Sequence, residues 1–236
     1  MKVVILAGGF GTRIYPYSNT IPKPLIKIKG IPIIEHIINL YFNYGFKDFL
    51  IATGHKKKKI EKNFKKKKFR NLNIQCIDTG KNTMTGGRIL LLKNFLKETF
   101  LLTYGDGLSN VNIRELIKFH KKNLGIATLT AVRPPARFGE ILINQDSSVR
   151  SFKEKPQASK GRINGGFFVM EPEIISYIKN SKTYLEREPL EKLSKIKKLF
   201  AFKHNGFWQC MDTIRDKIHI DEQIKLNNGI YPWLIK

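Results

Sequence analysis

The chain has 236 residues, 42% of them hydrophobic and 11% aromatic, enough to bury a sizeable core without disulfides or a structural metal. Lys and Arg number 43 against 19 Asp and Glu, a formal net charge of +24 that suits a protein handling anions. No apolar run reaches the ~20 residues of a membrane span, Val3–Ala7 is too short for a signal peptide, and Cys76 and Cys210 stand outside metal or redox spacings, so the expected setting is the cytoplasm.

The elements follow in chain order. Lys2–Ala7 is an apolar run ending in glycines, the pattern of a buried strand. From Pro32, apolar residues at Ile33, Ile34, Ile37, Ile38, Tyr41 and Phe42 give a helix stripe closed by Gly45. Asp48–Thr53 predicts a second strand. Lys56–Phe69 predicts a very basic helix within the run Lys56–Arg70, which holds ten basic residues and one acid, Glu61. Asn73–Ile77, Phe100–Tyr104 and Ile126–Val132 predict strands, with helices over Gly87–Phe95 and Asn112–Lys122 between them. This alternation calls for a mainly parallel sheet covered on both faces. After Pro134 come extended pieces, FGEILIN, VRSFKEK and INGGFFVM, which predict a small, partly antiparallel substrate-binding extension. Helices over Pro172–Lys179 and Leu185–Lys195, an extended FAFKHNGFWQCMD and a helix from Thr213 to Leu226 complete the chain. With no repeat or linker, one α/β domain over 1–236 is expected, residues 1–133 mainly binding nucleotide and 134–236 mainly the second substrate.

The basic run has two readings, a polyanion-binding arm and a solvated lysine-rich surface. Lysine outnumbers arginine 33 to 10, and arginine is the better reader of bases, so nucleic acid is not the expected partner.

Several segments carry chemistry. Gly8-Gly9-Phe10-Gly11-Thr12-Arg13 follows the first strand directly, where exposed N–H groups can cradle phosphate. It fits neither the Walker pattern nor the dinucleotide fingerprint, and a structural turn is the other reading. Arg13 can clamp phosphate oxygens, and Lys23, within Pro22-Lys23-Pro24, offers a point charge; either could equally be a surface cation. Asp106, in Tyr104-Gly105-Asp106-Gly107, stands at a strand's C-terminal end, where open α/β sheets bind ligands, or else forms a turn. Asp212 stands before the last helix, as a second carboxylate or as its N-cap. Two carboxylates brought together there would suit Mg²⁺.

In this order, LAGGFGTR, PKP, YGD and EKP (Glu154-Lys155-Pro156) resemble the sugar-1-phosphate nucleotidyltransferases. The finer resemblance is to the glucose-1-phosphate cytidylyltransferases. It is carried by Asp78-Thr79-Gly80, Met84-Thr85-Gly86-Gly87-Arg88, Thr103–Gly107, Asn164–Phe168, Phe207-Trp208-Gln209 and Met211-Asp212-Thr213 with Arg215-Asp216-Lys217. It covers nearly the whole chain, although the stretch between the basic run and Asp78 is shorter here than in those enzymes.

The resemblance implies a Rossmann-like nucleotidyltransferase fold, a mixed, mainly parallel sheet flanked by helices. It implies CTP held by Leu6, Ala7, Gly8, Gly9, Phe10, Gly11, Thr12 and Arg13, with Thr83, Arg88 and Gly105 also at the nucleotide. Asp106 and Asp212 would ligate Mg²⁺, and Lys23 would hold the reacting phosphates. Gly139, Glu154, Lys155, Asn164 and Gly165 would surround a sugar 1-phosphate, glucose 1-phosphate by the finer resemblance. A homo-oligomer and a role in deoxysugar or surface-polysaccharide synthesis are also implied. The same transfer with another phosphorylated acceptor or another nucleotide is the alternative. The histidines, His36, His55, His120, His204 and His219, are dispersed and receive no catalytic role.

Overall fold

A computed structural model describes residues 1–66, 69–134, 140–153 and 161–234. In chain order the elements are β1 (Val3–Leu6), α1 (Tyr17–Thr20), β2 (Lys27–Ile28), β3 (Ile31–Pro32), α2 (Ile33–Asn43), β4 (Asp48–Thr53), α3 (Lys57–Phe64) and β5 (Asn73–Asp78). Then come α4 (Thr85–Leu91), β6 (Phe100–Tyr104), β7 (Gly107–Ser109), α5 (Ile113–Asn123), β8 (Ala127–Val132), β9 (Glu140–Ile143) and β10 (Val149–Lys153). The last are β11 (Ile163–Met170), α6 (Glu188–Lys195), β12 (Leu199–Lys203), β13 (Trp208–Cys210) and α7 (Ile214–Leu226).

The main sheet has seven strands in the order β12-β8-β11-β6-β1-β4-β5. All neighbours are parallel except β11, which runs antiparallel to both β6 and β8. Side chains alternate across β1. Val3 and Ile5 join Ile37, Tyr41, Leu116 and Ile220 under α2, α5 and α7, whereas Val4 and Leu6 join Ile89, Leu92 and Leu193 under α4 and α6. Burial on both faces is why β1 and β6 read as unbroken apolar runs rather than alternating ones.

Several expectations shift. INGGFFVM is a central strand of the main sheet, not part of an extension, because Phe167 and Val169 fill one core and Phe168 and Met170 the other. The extension reduces, among the described residues, to the β9–β10 hairpin. The extended piece from Phe200 to Asp212 divides: β12 pairs with β8 at the sheet edge, and β13 pairs with β7 in a separate ribbon. The basic helix is shorter than predicted, beginning at Lys57 and ending at Phe64, with Lys56 in the left-handed region at φ 54°. Helix α4 starts at Thr85 rather than Gly87. The helical stretch expected over Pro172–Lys179 is a 3₁₀ helix, Pro172–Tyr177.

Candidate active site

A cleft of roughly 670 Å³ opens along the C-terminal ends of β1 and β6. Every described site residue expected from the sequence lines it: the loop Leu6–Arg13, Lys23, Thr83, Arg88, Gly105, Asp106, Asn164, Gly165 and Asp212. Gly139, Glu154 and Lys155 lie outside the described residues. Lys81, Tyr104, Tyr184, Trp208 and Cys210 also line the cleft, none of them a site residue expected from the sequence. Tyr104 and Trp208 stand inside sequence motifs and Lys81 and Cys210 beside them, whereas Tyr184 carries no such signal, and membership of a motif does not show where a side chain points.

The glycine loop leaves β1 and turns at Gly11, whose φ is +67°, with room for a Cβ only 3.0 Å from Cβ of Lys23. Gly11 thus lets the loop close onto the 3₁₀ turn Lys23–Leu25 and brings Lys23 to the floor of the cleft.

Lys23 is where the site converges. Its Nζ lies 2.5 Å from Asp106 Oδ2 and 2.5 Å from Asp212 Oδ1. The Lys23 side chain is 12% exposed, and those of Asp106 and Asp212 are 27% and 16% exposed. Burial alone would push the ammonium's pKa down, but the two carboxylates outweigh it and hold that pKa above its usual value. Arg13 pairs with the other oxygen of Asp212 while its own side chain stays 74% exposed, so it remains open to solvent.

The two aspartates are 106 positions apart in sequence, and strand pairing unites them. β13 lies antiparallel to β7 with Cys210 opposite Gly107, and Met211 N–H donates to Asp106 O at 2.9 Å. Asp212 is released for the site because the cap of α7 falls to Thr213. Its side chain accepts from Asp216 N–H while Asp216 receives the Thr213 N–H, a reciprocal capping box.

Arg88 lines the cleft but spends its guanidinium inward. It is 4% exposed and donates to Thr53 O (3.1 Å), Thr79 Oγ1 (2.6 Å), Gly80 O (2.9 Å) and Gly8 O (2.9 Å). These acceptors follow or close β1, β4 and β5, so one side chain ties three neighbouring strand ends and the glycine loop together. Burial pulls the pKa of Arg88 down, partly offset by Asp78.

The carboxylate pair fits a hard divalent cation. Oxygens of Asp106 and Asp212 already share one cationic nitrogen. Among the described residues no group of three or more His, Cys, Asp or Glu gathers around a metal, and two carboxylates with the remaining positions left to water and phosphate is how Mg²⁺ is commonly held. No described helix is long and apolar enough to cross a membrane.

The family description "Nucleotidyl transferase" matches residues 2–216. A glucose-1-phosphate cytidylyltransferase of Salmonella typhi is 43% identical, over 99% of this chain and 98% of that protein. Its counterpart in Salmonella typhimurium is 42% identical over the same shares. Both alignments run over 256 positions, against 236 residues here, so the relatives carry residues that this chain lacks. Among solved structures, UDP-glucose pyrophosphorylase complexed with UDP-glucose superposes with a TM-score of 0.73 at 19% identity, covering 96% of this chain and 98% of the other, a likeness of fold. Enzymes of this kind generally use a divalent metal. With the matched residues running from β1 into α7 and so including both carboxylates and the glycine loop, the chain belongs to the nucleotidyl transferase family and is a transferase enzyme.

Proposed function

We propose that the enzyme transfers CMP from CTP to glucose 1-phosphate, giving CDP-glucose and pyrophosphate. One observation carries the reading: two carboxylates from distant strand ends meet at the Lys23 ammonium in a cleft lined by the glycine loop. An oxygen of the sugar phosphate attacks the α-phosphorus of CTP in line. The bond from that phosphorus to the bridging oxygen breaks, and pyrophosphate leaves with the electron pair. The nucleophile is already an anion, so no catalytic base is needed, and the work is positioning and charge neutralisation. Arg13 and Lys23 face the triphosphate, and Thr83 with the loop Leu6–Arg13 surrounds the nucleotide. Arg88 holds that loop in place from behind. Asn164 and Gly165, with Gly139, Glu154 and Lys155, receive the sugar phosphate. Mg²⁺ held by Asp106 and Asp212 would supply neutralisation of the phosphate charge. In this division residues 1–133 serve mainly the nucleotide and 134–236 mainly the acceptor, in a cytoplasmic enzyme that works as a homo-oligomer.

The test is pyrophosphate release with glucose 1-phosphate and each of CTP, UTP, dTTP, ATP and GTP. Turnover with CTP alone is expected, abolished by EDTA and restored by added Mg²⁺. Asp106→Asn and Lys23→Ala are expected to lower turnover by about 10²-fold or more, the scale of losing one electrostatic group at the reacting phosphates. Near-normal rates in both folded variants would reject the assignment, and turnover with a different nucleotide would keep the reaction but replace the base.

A further inference from the structure

Hydrogen bonds join Asn164 to Tyr104, Glu186 and Thr85, three side chains that the transfer chemistry leaves unused. Glu186 stands two residues before α6. Its Oε2 accepts from Thr85 Oγ1 at 2.6 Å, and its Oε1 accepts from the Tyr104 hydroxyl. Thr85 Oγ1 also receives the N–H of Leu185 at 2.9 Å, which fixes the approach of the carboxylate from its own backbone. The Tyr104 ring is held edge-on to Phe168, with centroids 5.9 Å apart at 87°. On the far side of the phenol, Asn164 Nδ2 lies 3.5 Å from the Tyr104 oxygen, while Asn164 Oδ1 accepts the Gly166 N–H at 2.9 Å.

The polarity of this chain is decided at Glu186. A carboxylate only accepts, so both Thr85 and Tyr104 must donate to it. With its proton committed, the phenolic oxygen can only accept from the Asn164 amide. Asn164 is then fixed at both ends, its oxygen on Gly166 and one N–H toward Tyr104, and its second N–H is available to a ligand oxygen. The same carboxylate joins Thr85, in the segment that follows Thr83, to the acceptor wall.

We propose that Glu186 is a positioning residue of the acceptor subsite, orienting Asn164 through the Tyr104 hydroxyl for a hydroxyl or phosphate oxygen of the sugar phosphate. The proposal rests on the reading above in which Asn164 meets the acceptor. Glu186 itself need not touch substrate, since its two oxygens are turned to Tyr104 and Thr85.

Steady-state kinetics of Glu186→Ala, Glu186→Gln and Tyr104→Phe test it, varying the sugar 1-phosphate at saturating CTP and then the reverse. Glu186→Ala and Tyr104→Phe are each expected to raise the acceptor KM about tenfold, with the CTP KM moving less than about twofold, on the scale of one misoriented hydrogen bond. The double variant should be no worse than the worse single one, because both break one chain. Glu186→Gln retains an acceptor oxygen for Tyr104 and should recover most of the loss. An unchanged acceptor KM in Glu186→Ala, a matching rise in the CTP KM, or no recovery in Glu186→Gln would each overturn the proposal. Should Glu186→Ala fail to fold, Tyr104→Phe, which keeps the ring packing, must still raise the acceptor KM. A wild type that uses a different sugar 1-phosphate corrects the proposed acceptor and leaves this chain to be measured with that compound. A wild type silent with every sugar 1-phosphate removes both.

Discussion

An ammonium clasped by two partly buried carboxylates is more than an ion pair; it is the counter-ion that makes their closeness tolerable. Without Lys23, Asp106 and Asp212 would face each other with, among the described residues, the largely exposed Arg13 left as the paired cation. Lys23→Ala should therefore cost stability as well as turnover, about 1–2 kcal/mol after allowing for partial solvent screening. In thermal unfolding with EDTA the variant should melt below the wild type, and added Mg²⁺ should raise its Tm by more than it raises the wild type's, which already has a cation between the carboxylates. Equal shifts in the two proteins would mean that the carboxylates do not share the ion. Arg88 poses a different problem, since its loss would empty a buried site and take from Gly80 O and the Thr79 hydroxyl the donor they receive there. Thr53 O keeps the Thr79 N–H and hydroxyl, and Gly8 O keeps the His55 N–H. Arg88→Ala is expected to lose about 3–5 kcal/mol in urea unfolding. Arg88→Lys should recover only part of it, because one ammonium cannot reproduce the planar fork.

The segment Met84-Thr85-Gly86-Gly87-Arg88 shows how an element can be read correctly for its place and incompletely for its reason. The sequence ties it to the nucleotide, and it does line the cleft. Its glycines, however, answer to packing. Met84 N–H donates to Ser181 O at 2.9 Å and Gly87 N–H to Thr183 O at 3.1 Å, so the first turn of α4 lies directly on the backbone of residues 181–183. A Cβ at Gly87 would come within 2.3 Å of Ser181 O. Gly87→Ala should thus push that backbone off α4, destabilising the protein by about 1–3 kcal/mol or more. Because the same segment continues to Tyr184 and Glu186, the acceptor KM should rise with it. Unchanged urea unfolding in Gly87→Ala would show that the contact yields freely.

At the scale of the molecule, the charge of +24 remains after the site has used its share. In the basic run the structure gives several lysines internal work. Lys56 donates to Ser18 O and Lys59 to Thr20 O, two carbonyls in the last turn of α1, where a short helix leaves unpaired acceptors and a cation is favoured. Lys57 pairs with Asp78, and Lys66 donates to Asn63 Oδ1 at 2.7 Å. Among the described residues of the run, Lys56 and Lys59 therefore brace the chain between Arg13 and Lys23. Binding of a duplex oligonucleotide should be weak, insensitive to sequence and lost steeply with salt. Replacing Lys58, Lys62 and Lys65 with Gln should weaken that binding while leaving nucleotidyl transfer unaffected. Tight, sequence-dependent binding at physiological salt would instead restore the polyanion reading.

Much of this was legible in the residues themselves. Apolar runs at β1, β4, β6 and β8 with amphipathic stretches between them require a sheet covered on both faces, and a glycine loop after β1 with an aspartate after β6 places a polar site at one sheet edge. These are local patterns, fixed by periodicity and backbone freedom within a few residues. What only the tertiary structure decided is which distant pieces share a strand edge or a hydrogen-bond partner. The β7–β13 pairing unites Asp106 with Asp212, β11 enters the sheet between β6 and β8, and Arg88 faces carbonyls rather than solvent. No local pattern encodes those meetings, because each is selected by the burial and hydrogen bonding of the whole sheet at once.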